Sequence, residues 1–126
     1  MDSEIARGMR KQFAFRVVAL PGDVVEVRDG ALWLNGRRQK EPFIKEPPRY
    51  RCKVLNGKAV CDGWFADLEQ LRALESKFAE PIPPGYVFVL GDNRNDANDS
   101  HIWGPLPMKN IIARVSFIFY PRWRRF

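Results

Sequence analysis

The densest run of chemistry-bearing side chains is the segment 91–100, Gly-Asp-Asn-Arg-Asn-Asp-Ala-Asn-Asp-Ser. Its carboxylates and amides raise the question of calcium. An EF-hand loop needs a glycine at its sixth position and a bidentate glutamate at its twelfth. Counted from Asp92, those positions hold Ala97 and Trp103. The segment therefore reads as a loop of Asx turns, in which side-chain oxygens cap backbone N–H groups. Asp99, Ser100 and His101 carry the residue types of a hydrolytic triad. Successive side chains of an extended chain point to opposite sides, so three consecutive residues do not converge, and triads are assembled from distant positions. His101 is the single histidine. With Cys52 and Cys61 it falls short of a tetrahedral zinc set, so no metal site is expected.

The elements that position this loop follow from composition and pattern. A chain of 126 residues is one domain's worth, taken here as a single domain over 1–126. Hydrophobic residues at 45% and charged residues at 29% give a globular rather than a disordered balance. Ten prolines and nine glycines favour short strands and many turns. No segment approaches the roughly 20 apolar residues that span a bilayer. The polar start, residues 1–12, does not resemble a secretion signal. The chain is expected to be soluble. The net charge is +6, part of it in the final Pro-Arg-Trp-Arg-Arg-Phe. That tail reads as a solvated terminus or as an interfacial segment, with Trp123 and Phe126 among headgroups and the arginines on anionic lipid. No nucleic-acid-binding motif accompanies the charge, so nucleic acid is not an expected partner.

Residues 16–20 form an apolar run ended by Pro21-Gly22-Asp23, a strand and a turn. Residues 24–27 and 31–34 are short strands joined by Asp29-Gly30, and Asn35-Gly36 repeats the turn signal. A polar loop follows over 37–49. Asn56-Gly57 between CKVL and KAVC marks a hairpin. If those two residues form the turn, Cys52 stands opposite Cys61 at a non-hydrogen-bonded site, where Cα atoms approach to about 4.5 Å. A disulfide tolerates that distance, so Cys52–Cys61 is the candidate pair in an oxidising compartment. Reduced cysteines packed side by side are the other reading. Over 64–79 the spacing of Trp64, Leu68, Leu71, Leu74 and Phe78 predicts one amphipathic helix laid on a sheet. Pro81, Pro83 and Pro84 stop it. Residues 86–90 read as a buried strand and 111–120 as a long final one. The expected fold is mostly β, made of hairpins and meanders, with the helix in an insertion over about 50–79.

Three segments in order, RVVALPGD (16–23), GDNRNDANDSHIWGPLP (91–107) and ARVSFIFYP (113–121), resemble the sequence boxes of type I signal peptidases. The hairpin EVRDGALWLNGR resembles the cyanobacterial and chloroplast branch of that family. The resemblance implies a β-rich domain on the extracytoplasmic face of a membrane. It implies a serine peptidase that removes signal peptides with a Ser/Lys dyad and no cofactor. It also implies signal-peptide or other extended peptide segments as partners, and a membrane surface nearby.

Carried over by residue, the resemblance leaves the catalytic set empty. The base lysine precedes the arginine of the first box. That arginine is Arg16, so the base position is Phe15. The hydroxyl residue that supports the lysine falls at Ala97, and the nucleophile-bearing Ser-Met-x-Pro-Thr-like segment has no counterpart. Asp92, Asn93, Arg94, Asp99 and Ser100 match scaffold positions of the active-site wall. Phe13 and Ala14 match the strand that lines the substrate pockets. His101 stands where many members carry arginine. Lys11 shares Phe15's strand parity but lies about 13 Å away along an extended chain, too far to substitute. Two origins are compatible with this: an excised fragment, or a degenerate paralogue that keeps the fold without the chemistry. Truncation cannot convert an internal lysine to phenylalanine, which favours the second. A non-catalytic module that holds an extended segment by strand addition is the competing function, and a structural domain docked on a partner subunit is a third.

Overall fold

The computed structural model describes residues 15–63, 66–97 and 99–110, together with the backbone of 117–119. Two sheets carry it. One has four strands in the order β8-β7-β1-β9, from β1 (Phe15–Ala19), β7 (Tyr86–Gly91), β8 (Leu106–Pro107) and β9 (Phe117–Phe119). The other has five in the order β4-β3-β2-β5-β6, from β2 (Val25–Arg28), β3 (Ala31–Leu34), β4 (Arg37–Arg38), β5 (Cys52–Leu55) and β6 (Lys58–Cys61). Two helices, α1 (Leu68–Ser76) and α2 (Ser100–Trp103), complete the named elements. The mostly β class read from the turn-rich composition is the observed one.

Turn chemistry sets the five-stranded sheet. Asp29-Gly30, Asn35-Gly36 and Asn56-Gly57 all adopt positive φ at both positions, the geometry that matches the twist of a tight hairpin. With Asn56-Gly57 at the tip, Leu55 faces Lys58, Val54 faces Ala59 and Cys52 faces Cys61. β5 also pairs with β2, through Glu26–Lys53 and Val27–Cys52. The 50–79 segment thereby supplies two strands of the sheet itself. Val25, Val27, Leu32, Leu34, Cys52 and Val54 turn inward, with Glu26, Trp33 and Lys53 between them less buried, the alternation of a half-buried sheet.

β7 is buried on both faces. Phe88 and Leu90 join the main core with Val18, Val25, Leu32 and Tyr50, whereas Val87 and Val89 pack with Phe15 and Val17 in a second cluster. That is why its sequence is a continuous apolar run rather than an alternating one. β1 serves both clusters because its register with β7 slips between Val17 and Ala19, a bulge that re-aims the following side chains.

The helix is shorter than the apolar spacing predicted. Asp67 caps it, its side chain accepting the Gln70 N–H while Gln70 returns a bond to the Asp67 N–H, and Lys77 is already extended. Phe78 therefore leaves the helical face and is 93% exposed, Leu68 is 62% exposed, and Leu74 is the stripe residue that is buried. Trp64 lies outside the described residues. Lys53 Nζ donates to the carbonyls of Leu74 and Lys77, closing the helix C-terminus with a cation where the dipole favours one. The predicted strand over 111–120 is described only at Phe117–Phe119.

Candidate functional site

The segment 91–100 leaves β7, crosses a turn, and enters α2. Its described side chains fasten it to its neighbours at several points. Asp92 takes the Arg16 guanidinium on both oxygens, at 2.6 and 3.1 Å, and the same guanidinium lies 3.7 Å from the Phe43 ring centroid. Arg94 is 2% exposed. Its Nε donates to Gly91 O at 2.8 Å, and its two terminal nitrogens donate to Glu41 Oε1 and Oε2 at 2.6 and 2.7 Å. Burial of a guanidinium is tolerable only with such bidentate pairing.

Asp99 and Ser100, both fully buried, hold the two ends of the loop together. Asp99 Oδ2 accepts the Gly91 N–H at 2.8 Å, and Ser100 Oγ accepts the Val89 N–H at 2.9 Å. Asp99 Oδ1 accepts the His101 N–H at 3.0 Å and lies 2.5 Å from His101 Nδ1. Asp99 and His101 thus meet as helix cap and first-turn residue, while Ser100 between them turns away to β7. This geometry carries no Ser-His-Asp relay. Asn93 is exposed at the turn, where its carbonyl accepts the Asp96 N–H at 3.1 Å.

His101 stacks on Tyr50, with ring centroids 4.2 Å apart and planes at 15°. The Tyr50 hydroxyl is buried with no hydrogen-bond partner among the described residues. Burial first, then the Asp99 carboxylate, raises its pKa well above the ordinary tyrosine range, with Arg94 partly opposing. Three groups of this wall were not singled out in the sequence: Glu41, Phe43 and Tyr50. Asn95 was not singled out either. Its Oδ1 accepts the Arg49 N–H at 2.8 Å, and its Nδ2 donates to Pro47 O at 3.1 Å.

Phe15 and Ala97 both lie beside Gly91. Phe15 pairs with Gly91 across β1 and β7. A Cβ built on Gly91 would stand 2.7 Å from Ala97 Cβ and 3.8 Å from Phe15 Cε1. Both residues are buried, at 5% exposure each, and Phe15 packs with Val17, Val87 and Val89. Asp99 Oδ2 stands 3.7 Å from the same Cβ point, so one carboxylate oxygen borders this otherwise apolar corner. Phe13, Ala14 and Lys11 lie outside the described residues. A disulfide joins Cys52 and Cys61, whose Cα atoms are 4.2 Å apart. Among the described residues no group of three or more His, Cys, Asp or Glu side chains is placed to hold a metal ion.

A chain with this loop, the Leu-Pro-Gly-Asp turn and this pair of sheets matches a known family. The family described as signal peptidase, peptidase S26, matches residues 5–120. The chain belongs to that signal peptidase family. Among its relatives, the probable signal peptidase I-1 of Synechocystis sp. is 39% identical over 113 residues, covering 88% of this chain and 45% of that protein. Thylakoidal processing peptidase 1, chloroplastic, of Arabidopsis thaliana is 43% identical over 109 residues, covering 86% of this chain and 25% of that protein. Signal peptidase I of Bacillus caldolyticus is 31% identical over 112 residues, covering 89% of this chain and 56% of that protein. The chain therefore spans between a quarter and just over half the length of these relatives.

Proposed function

We propose that this chain is a signal-peptidase-type domain that holds extended peptide segments without hydrolysing them by a Ser/Lys mechanism. The observation that carries this is the buried contact of Phe15 with the Gly91–Ala97 corner. A dyad base must be an amine kept neutral by burial and steadied by a hydrogen bond. At the base position a benzyl group has no lone pair to take a proton. At the supporting position a methyl group has no hydroxyl. Both residues are buried beside Gly91, which supports the reading that base and supporting group are lost together. Around this corner the ion pairs of Asp92 and Arg94 and the bonds of Asp99 and Ser100 hold the loop to its neighbours, which supports a surface stiff enough for binding.

Partners follow from the family: signal peptides or other extended segments of exported proteins, met at the extracytoplasmic face of a membrane. No helix among the described residues is long and apolar enough to cross a bilayer. On this reading the basic-aromatic segment 121–126, which lies outside the described residues, adds weak contact with anionic lipid, about 1 kcal/mol per arginine. Liposome co-sedimentation of the chain against one ending at Pro121 tests that contact. Equal binding by both forms removes the tail from it.

The main test pairs two measurements on one labelled signal-peptide substrate. Fluorescence anisotropy should show saturable binding, and mass spectrometry of the same mixture should show an uncut peptide. Serine-type turnover above the uncatalysed rate that is lost on Lys11→Ala or Ser100→Ala would overturn the reading. Absence of both binding and cleavage would favour a structural domain docked on a partner subunit.

A further inference from the structure

The disulfide is asymmetric in its surroundings. Cys52 is 2% exposed and sits in the main core with Tyr50 and Val54. Cys61, at the end of the edge strand β6, is half-buried. It lines a cavity of about 540 Å³ bounded also by Tyr50, Gly63, Ala66, His101 and Ile102. This cavity is separate from the Phe15–Gly91–Ala97 corner. Its wall also carries Arg49, whose guanidinium pairs with Glu46 at 3.2 Å. The neighbouring acid Asp62 is engaged by the Arg51 backbone N–H at 2.5 Å and by Arg51 Nε at 2.7 Å. Cys61 Sγ also lies 3.1 Å from the His101 carbonyl oxygen, so a thiol formed there would find an acceptor in place.

We propose that Cys61 is a thiol–disulfide exchange site for a small dithiol that enters this cavity. The attacking thiolate forms a bond to Cys61 Sγ, the Cys61–Cys52 bond breaks, and the electron pair leaves on Cys52 sulfur, which takes a proton. The second thiol of the reagent then attacks the reagent's first sulfur in the mixed disulfide, and the electron pair leaves on Cys61 Sγ, which takes the proton. That step releases Cys61 as a thiol and the reagent as its cyclic disulfide. The dithiol is oxidised by two electrons and the protein disulfide is reduced by two. Exchange rates depend on access and on which sulfur is attacked, and here the geometry selects one sulfur. Attack at Cys52 requires entry into the core, whereas attack at Cys61 requires entry into a cavity that already exists. The released Cys61 Sγ–H donates to His101 O, on the first turn of α2, directly after Asp99 and Ser100. The exchange site thereby touches the element that holds the Gly91 and Val89 amides.

The test uses the oxidised, folded chain with the monothiol glutathione, quenched by acid at early times, with the adduct located by peptide mapping. The expected result is a mixed disulfide on Cys61 in at least about tenfold excess over Cys52, because exchange follows access to the sulfur. Equal adducts on both cysteines, or an excess on Cys52, would overturn the proposal. A second arm fills the cavity with Ala66→Phe and measures reduction by dithiothreitol under native conditions. The rate should fall by about tenfold if reduction proceeds through the cavity, with the thermal midpoint of the oxidised protein unchanged. A rate equal to that of the unsubstituted chain, with reduction tracking global unfolding in urea, would show that the bond opens only on unfolding and would also overturn it. Neither arm uses peptide binding, so failure here leaves the proposed function standing, and the reverse holds as well.

Discussion

Phe15 and Gly91 face each other across β1 and β7, and the phenyl ring reaches to 3.8 Å from where a Gly91 Cβ would stand, on the side where Ala97 closes to 2.7 Å. Strand pairing, loop return and ring packing meet at one corner. The absence of a side chain at Gly91 is what lets Ala97 close over it. Gly91→Ala should therefore destabilise the domain by about 1–3 kcal/mol, the usual cost of overpacking a tight site. The neighbour is a short side chain of the returning loop, which has little freedom to move aside. Ala97→Gly added to Gly91→Ala should recover part of the loss. Urea denaturation of the single and double variants checks this, and additive losses would place the strain elsewhere.

The same corner gives a prediction for the base position. Phe15→Lys puts an amine among Val17, Val87 and Val89, with no hydroxyl at residue 97 and with Asp99 Oδ2, already bonded to the Gly91 N–H, as the near polar atom. Burying even a neutral unpaired polar group costs about 1–3 kcal/mol in proteins, on top of the packing lost, and a charged one costs more. Phe15→Lys combined with Ala97→Ser should be less unstable than Phe15→Lys by about 1 kcal/mol, the size of one new hydrogen bond. A double-mutant cycle in urea measures the coupling. A coupling of zero would mean that residues 15 and 97 do not meet in the folded chain.

Glu41 is the counter-ion that buries Arg94, from 53 positions upstream. Glu41→Gln leaves the guanidinium buried without its charge partner, and removal of one member of such a pair costs about 3–5 kcal/mol. Replacing both with apolar residues of similar volume should cost much less than the sum of the single losses, because no orphan charge remains. Equal destabilisation by Glu41→Gln and by an exposed control such as Glu46→Gln would contradict the burial.

How much of this was legible in the sequence divides along physical lines. Asn-Gly and Asp-Gly turns demand positive φ, so the hairpins and the Cys52–Cys61 register followed from local chemistry. The strand 86–90 was readable from its unbroken apolar run. Glu41, Phe43 and Tyr50 were not readable, since they lie in or directly after a polar, proline-containing stretch without periodicity and meet Arg94, Arg16 and His101 far along the chain. Apolar spacing alone overextends the helix, because the spacing carries no stop signal and the caps set the ends at Asp67 and Lys77. Asp67 followed by Gln70 three residues later is a capping-box signature, and it marks the true start. Asp99 and His101 show the same limit. Alternation in an extended chain separates them from Ser100, but the helix cap brings the two into contact.

Tyr50 makes alkaline stability a readout of its burial. Its folded pKa is raised above the unfolded value of about 10. Between the two, the unfolded chain has lost the phenolic proton and the folded chain has kept it. The unfolded state then binds fewer protons, so stability falls as pH rises, by up to about 1.4 kcal/mol per pH unit. Below about pH 9 this penalty is absent. Tyr50→Phe removes the ionisable group and the unpartnered hydroxyl together. It should be neutral or stabilising at pH 7, by up to about 1 kcal/mol, and it should flatten the loss above pH 10. Urea midpoints from pH 7 to 11 for both chains test the sign. Parallel curves over the whole range would place the Tyr50 hydroxyl in contact with solvent.

The Cys52–Cys61 bond closes a loop with a sequence separation of 9 around the Asn56-Gly57 turn. Chain-entropy reasoning gives a loop of that size a stabilisation of about 2–3 kcal/mol, acting through the unfolded state. Part of that benefit is already supplied by the turn, which favours the same register in the unfolded chain, so the measured value should fall at the lower end. Oxidised protein should yield no free thiol on labelling under denaturing conditions. Its urea midpoint should exceed that of the dithiol-reduced protein at the same pH. The hairpin should nonetheless survive reduction, because Val54, Leu55 and the β2–β5 pairing hold it to the sheet. Far-ultraviolet circular dichroism of the reduced chain should therefore retain its strand signal. Two free thiols in air-exposed protein would remove the bond from the native state. Loss of all structure on reduction would mean that the bond, rather than the sheet, holds the 50–63 segment in place.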